Sequence, residues 1–158
     1  KNHDHSPWKS LSLETTAKIA QRILQEASIV NLFQELVLEI RDVPLSSLPL
    51  RSLERLFQQQ QGGNMDSLSL RRCRVTPDGT LVIQELLQAK RLKRLQLHRV
   101  EFTNPTICAT YLEQSFKAHS KLQCLELCCM SNPEILDRIF QALVGHGSLQ
   151  ELVVIPCW

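Results

Sequence analysis

Aromatic residues are scarce in this chain of 158 residues: they make up 5%, with one tyrosine and two tryptophans, so there is little on which a nucleic-acid base could stack. Net charge is also small. Eighteen lysines and arginines against 16 acids leave +2, too little to argue by itself for a nucleic-acid or membrane surface. No apolar run approaches the roughly 20 residues of a membrane-spanning helix. No secretory signal pattern is visible, and neither Asn104 nor Asn132 is a glycosylation acceptor, because proline follows each. A glycine-rich phosphate loop, a metalloprotease helix motif and a hydrolase elbow are all missing, so no enzyme class is signalled and no cofactor is expected.

What the chain has in abundance is leucine at a fixed spacing: an apolar residue, two spacers, Leu, one spacer, then Leu or a close substitute. The pattern occurs at Trp8, Leu11, Leu13; Phe33, Leu36, Leu38; Met65, Leu68, Leu70; Leu92, Leu95, Leu97; Leu122, Leu125, Leu127; and Leu149, Leu152, Val154. The middle residues, 11, 36, 68, 95, 125 and 152, lie 25, 32, 27, 30 and 27 residues apart, which is a repeat. The last two apolar positions of each copy are two residues apart, the spacing at which a short strand points both side chains to one face. A segment of helical spacing follows each strand, and strand, helix, strand at that range makes neighbouring strands parallel. One unit is too small to close a core, so units must stack and share their leucines. Helices are wider than strands, and the stack should bend towards the strand side.

Six copies with a period near 28 and helical backs resemble the leucine-rich-repeat family, within it the ribonuclease-inhibitor-like subclass of irregular intracellular type. The resemblance runs from Trp8 to Trp158. It implies an α/β fold, a right-handed solenoid with a curved parallel sheet on the concave face and helices on the convex face. The expected organisation is one domain of about six repeats over 8–158 after a disordered lead-in at 1–7, cut from a longer chain, because the last strand has no helix to cover it. The family pattern sets Asn or Cys eight residues after the first apolar position. Cys73 and Cys157 match and Arg41, Val100 and Met130 do not, so a continuous polar ladder is not expected. Extracellular members carry paired cysteine clusters, whereas Cys73, Cys108, Cys124, Cys128, Cys129 and Cys157 are scattered, which implies reduced thiols and a cytoplasmic or nuclear location. Proteins of similar architecture include substrate receptors of cullin–RING ubiquitin ligases and cytosolic innate-immune sensors. The implied function is therefore protein binding, with substrate recognition for such a ligase as the specific role and a sensor or regulatory repeat domain as the alternative.

Along the chain, a helix is expected near Thr16 to Ala27 with Ile19, Ile23 and Leu24 on one face. Pro44 and Pro49 delay the second helix to about Arg51, where Leu53, Leu56 and Phe57 turn inward before Gln58 to Gln61 and Gly62-Gly63 stop it. Thr76-Pro77, Asn104-Pro105 and Asn132-Pro133 each read as a cap followed by proline at the first helical position. The helices they start should cover 77–89, 105–117 and 133–144. Their expected inward residues are Leu81, Leu86 and Leu87; then Ile107, Tyr111, Leu112 and Phe116; then Ile135, Leu136, Ile139, Phe140 and Leu143. Gly145 or Gly147 releases the chain into the last strand.

Residues between the leucines of a strand face the other way. From Arg71 to Arg99 there are eight basic residues against Asp78 and Glu85, so the middle of the chain is basic and its flanks are acidic. Strands lie about 4.8 Å apart, so Arg71, Arg94, Gln96 and His98 are expected to form one patch, with Arg99, Glu126 and Cys128 beside it. That patch reads as a socket for an acidic or phosphorylated segment of another protein. The plainer reading is a solvated face whose arginines pair with Glu126 and Glu39. RNA or a phospho-ligand on residues 71–99 is a further alternative, although the absence of an outward aromatic argues against nucleic acid. No membrane and no small-molecule substrate is expected. His98 and Cys128 fall in equivalent slots of neighbouring strands, but no pocket or oxyanion donor pair accompanies them, and a non-enzymatic protein is expected. Cys124, Cys128 and Cys129 with His119 suggest zinc only superficially, because Cys124 and Cys128 on one strand sit about 13 Å apart.

Overall fold

The computed structural model describes residues 8–46, 51–53, 57, 64–89, 91–117 and 121–157. The lead-in at 1–7, Leu56, and the glutamine and glycine stop at 58–63 lie outside them. In chain order the described elements are β1 (Trp8–Thr15), α1 (Ala17–Leu24), α2 (Ala27–Val30), β2 (Phe33–Ile40), β3 (Ser67–Arg71), β4 (Arg74–Val75), α3 (Pro77–Leu87), β5 (Arg94–His98), β6 (Glu101–Phe102), α4 (Pro105–Lys117), β7 (Cys124–Cys128), α5 (Pro133–Leu143) and β8 (Glu151–Ile155). The fold is α/β. Strands β1, β2, β3, β5, β7 and β8 form one parallel sheet in that order, each beside its predecessor.

The repeat register is kept at every step. Leu11 stands opposite Leu36, Leu36 opposite Leu68, Leu68 opposite Leu95, Leu95 opposite Leu125, and Leu125 opposite Leu152. A one-residue slip would turn every leucine of a strand away from the core, so the pattern itself locks the pairing. The leucines of β2, β3, β5 and β7 join one continuous core with Val82, Ile83, Leu86 and Leu87 of α3, Cys108, Leu112 and Phe116 of α4, and Ile135 and Ile139 of α5. Leu53 and Phe57 are fully buried in the same core. Burying one such side chain stabilises by roughly 1.5–3 kcal/mol, so the shared interior is the main force holding the units together.

Two of the three expected caps form. Thr76 Oγ1 accepts from the Gly79 amide at 3.1 Å, and Asn132 Oδ1 accepts from the amides of Glu134 and Ile135 at 3.0 and 3.3 Å. Asn104 instead turns the chain with φ of 49°, a left-handed conformation that asparagine tolerates better than most residues. Gly145 does the same after α5 with φ of 83°. Arg138 of α5 donates to Glu113 of α4 at 2.8 Å, tying neighbouring helices and holding the Glu113 carboxyl below its usual range.

Several inward assignments change. Ile19, Leu81, Ile107 and Phe140 are exposed, and the buried positions of these helices include Ala20, Val82, Ile83, Ala109 and Ala142. The rotation of each helix about its axis is set by packing against neighbouring units, and it turns the adjacent positions inward in place of the expected ones. Leu152 and Val154 keep their register on β8 yet are 44% and 43% exposed, because no described element packs over this edge strand. The eighth position of the repeat is not a polar ladder: Cys73 and Val100 are buried and Met130 packs on the core.

Two features had no warning in the sequence. The two-residue strands β4 and β6 pair in parallel as a second ladder, and Leu45 bridges Val75 beside it. Cys129 and Cys157 are joined as a disulfide across 28 residues, with Cα atoms 4.7 Å apart, which corrects the expectation of six reduced thiols. Their separation is one residue more than the 27-residue offset that sets Cys128 opposite Ile155, so they meet diagonally just beyond the ends of β7 and β8.

Candidate functional site

The register arranges the residues between the leucines in rows. One row is Ser10, Glu35, Ser67, Arg94, Cys124 and Glu151; the next is Ser12, Val37, Ser69, Gln96, Glu126 and Val153. A third runs through Arg71, His98, Cys128 and Ile155. Arg94 opens β5, whereas Arg71 closes β3 opposite His98, so four residues of strand, about 13 Å, lie between the first and third rows. Gln96, in the second row, lies between them, so the expected patch runs from a mid-sheet part to a part at the carboxyl ends of the strands.

The mid-sheet place is a hollow of about 150 Å³ whose lining includes Glu35, Arg94, Gln96, Cys124 and Glu126. It lies where short side chains alternate with long ones. Ser67 and Ser69, on the same face, are buried between their cross-strand neighbours, and Ser69 donates to Gln96 Oε1 at 2.7 Å. Ser10 donates to Glu35 at 2.8 Å, and the Cys124 thiol donates to Glu151 at 3.2 Å. Arg94 Nη2 is 3.8 Å from Glu126 Oε1, as the solvated-face reading expected. Half-exposed pairs of this kind contribute about 0–1 kcal/mol, so either partner can be recruited by an incoming group at little cost. The other expected pair does not form with this cluster: Glu39 is buried and accepts from Arg41, which also bridges to Glu14. The hollow is smaller than the roughly 300 Å³ at which small-molecule pockets begin and accommodates one side chain.

At the carboxyl ends, Arg71 and His98 face each other across β3 and β5, and Arg72 and Arg99 follow them directly. Burial first, then the positive charges of Arg71, Arg99 and Arg72, push the His98 pKa below its ordinary 6.5, with Glu39 opposing. The unfolded chain therefore binds a proton more readily than the folded one. Stability is retained above pH 6.5 and declines as pH falls from there through the folded-state pKa. Urea unfolding at pH 7.5 and pH 5 should show this decline, and His98→Gln should remove His98's share of it.

Cys128, expected to be an exposed thiol beside Arg99, is buried, as are Cys73, Cys108 and Cys124. A small side chain between long neighbours loses its solvent even on an uncovered sheet face. Burial raises the Cys73 thiol to about 12 and, with Glu151, the Cys124 thiol to about 11, and it raises Cys108 as well. The expected result is slow alkylation of all four free thiols in native protein and fast alkylation in urea, read by mass spectrometry. Cys128 stands opposite His98 as anticipated, and no hydrogen bond between them occurs among the described residues. His119 lies outside the described residues, and within them no three His, Cys, Asp or Glu side chains gather as metal ligands.

Arg72, Arg74 and Glu101 were not singled out as site residues from the sequence. They line a second hollow of about 430 Å³ together with Cys73 and Arg99. The basic run containing Arg72 and Arg74 was visible, but strand alternation says nothing about residues beyond a strand's end. No helix among the described residues is long and apolar enough to cross a membrane. No protein-family model and no curated protein sequence matches this chain.

Proposed function

We propose that this chain is a leucine-rich-repeat solenoid that binds another protein on the sheet face lying opposite the helices. The observation that supports the reading best is the unbroken register of six parallel strands in chain order, with the leucines of β2, β3, β5 and β7 in one core with the helices. In that reading the sheet is the concave wall, and the spacer residues present a graded polar surface to a partner. Arg94, Gln96 and Glu126 surround the side-chain-sized hollow where one partner residue would anchor, and Arg71, His98 and Arg99 lie further along, towards the carboxyl ends of the strands. Cys128 is packing beneath that surface, not a contact. Within this class, the resemblance implies recruitment of a substrate to a cullin–RING ubiquitin ligase as the specific role.

A photo-crosslinking amino acid placed at Gln96, and separately at the exposed Gln114 on α4, tests the face. Partner adducts should form from position 96 and be lost when Arg94→Glu is added, with no large change in melting temperature. Adducts from position 114 alone, or adducts from 96 that ignore Arg94→Glu, would overturn the assignment.

A further inference from the structure

Among the described residues, two of the four non-glycine residues with left-handed backbone are arginines in equivalent places: Arg72, with φ of 48°, directly follows β3, and Arg99, with φ of 54°, directly follows β5. Left-handed backbone is strained for an ordinary side chain and unstrained for glycine. The turns stack on one another. The Arg72 amide donates to the His98 carbonyl at 2.8 Å, and the Arg99 amide donates to the Cys128 carbonyl at 2.9 Å. This ladder holds both side chains at the mouth of the larger hollow, and Arg74, opposite Glu101 across β4 and β6, completes its wall.

Most other arginines of the protein are engaged. Arg22, Arg41, Arg51, Arg94 and Arg138 all have a carboxylate within 4 Å. Arg71, Arg72, Arg74 and Arg99 have no side-chain hydrogen bond or ion pair among the described residues, and the hollow contains a single carboxylate, Glu101. Three arginines and one carboxylate thus line a hollow of about 430 Å³, and this excess of positive charge favours an anion there.

We propose that Arg72, Arg74 and Arg99 bind the phosphate of a phosphorylated serine or threonine on a partner polypeptide. A phosphate monoester carries close to two charges and three acceptor oxygens, enough for several guanidinium forks at once, whereas a carboxylate satisfies one. RNA is disfavoured because no aromatic side chain lines the hollow to receive a base. The partner is the one inferred above for the sheet face, and the hollow extends that surface past the ends of β3 and β5.

The test uses the whole chain and four probes in fluorescence polarisation or competition: a degenerate phosphoserine peptide library, the same library unphosphorylated, inorganic phosphate, and mixed-sequence single-stranded RNA. The phosphorylated library should bind about tenfold or more tighter than its unphosphorylated counterpart, with inorganic phosphate competing weakly. Arg72→Gly with Arg99→Gly removes two guanidinium groups while relieving the left-handed backbone, so the fold should persist and its melting temperature should hold or rise. The phosphate preference should disappear in that variant. No preference in the wild type, a preference that survives both glycines, or RNA that outcompetes the phosphopeptides would each overturn the proposal. Failure here with position-96 adducts intact would leave protein docking standing, whereas phosphopeptide binding without such adducts would sink the docking face and keep the phosphate site.

Discussion

Phe116→Ala is expected to destabilise the protein by about 3–5 kcal/mol, whereas Phe140→Ala should cost under about 1 kcal/mol. Both phenylalanines occupy apolar positions of a predicted helix, and both read as inward from sequence. Phe116 is 1% exposed near the end of α4 and packs in the core shared with its neighbours, whereas Phe140 is 36% exposed on α5. Truncating Phe116 loses the transfer free energy of the ring and leaves a void that neighbours on two sides cannot fill together. Truncating Phe140 leaves a notch that water fills. Urea unfolding of the two variants measures the contrast. In heat, the Phe116 variant should melt about 6–20 °C below the wild type, at some 2–4 °C per kcal/mol for a chain of this size. Equal costs would mean that α5 is rotated relative to the arrangement described here.

Gly79→Ala is the second large effect, a loss of about 1–3 kcal/mol, although alanine is the better helix former by about 1 kcal/mol. A Cβ on Gly79 would stand 2.4 Å from the Leu45 carbonyl oxygen and 3.0 Å from Val75 Cγ1. That carbonyl cannot step aside cheaply. It accepts from the Thr76 amide at 2.9 Å and from Thr76 Oγ1 at 3.2 Å, and the Leu45 amide donates in turn to Arg74. Since Thr76 caps α3, displacing Leu45 would disturb the helix start as well as the small second ladder. Gly147 has nothing within 4 Å of its Cβ position, so Gly147→Ala should stay within about 0.5 kcal/mol of wild type in the same denaturation series. A neutral or stabilising Gly79→Ala would show that segment 42–46 does not approach α3 as closely as described.

Within the candidate site, the chemistry of the residues was legible and their grouping was only half so. Arg94, Gln96 and Glu126 come together mid-sheet because they share neighbouring rows, which alternation and repeat spacing give directly. Arg71 stands in the next row, opposite His98 as the repeat spacing implies, and does not line that hollow, whose extent depends on the lengths of the side chains around it. Arg72 and Arg74 could not be chosen from the pattern at all. The usual sign of a left-handed turn is glycine or asparagine, and here arginine takes the position with no local mark. The burial of Cys128 escaped for a related reason, because exposure on a sheet face depends on the lengths of side chains in adjacent strands.

Periodicity alone determined the parallel sheet, its strand order and its register: leucines two apart must share a face, and a repeat near 28 residues brings each pair opposite the last. Proline and cap residues marked where helices begin. Tertiary packing decided which side of each helix is deepest, as Phe116 and Phe140 illustrate, and it created the contact between Leu45 and Gly79, the bond between Cys129 and Cys157, and the arginine-lined hollow. The physical reason is range. Strand pattern and capping act between residues a few positions apart, whereas closest approach, solvent exposure and clustering of charge depend on what a neighbouring unit, some 28 residues away, sets against them.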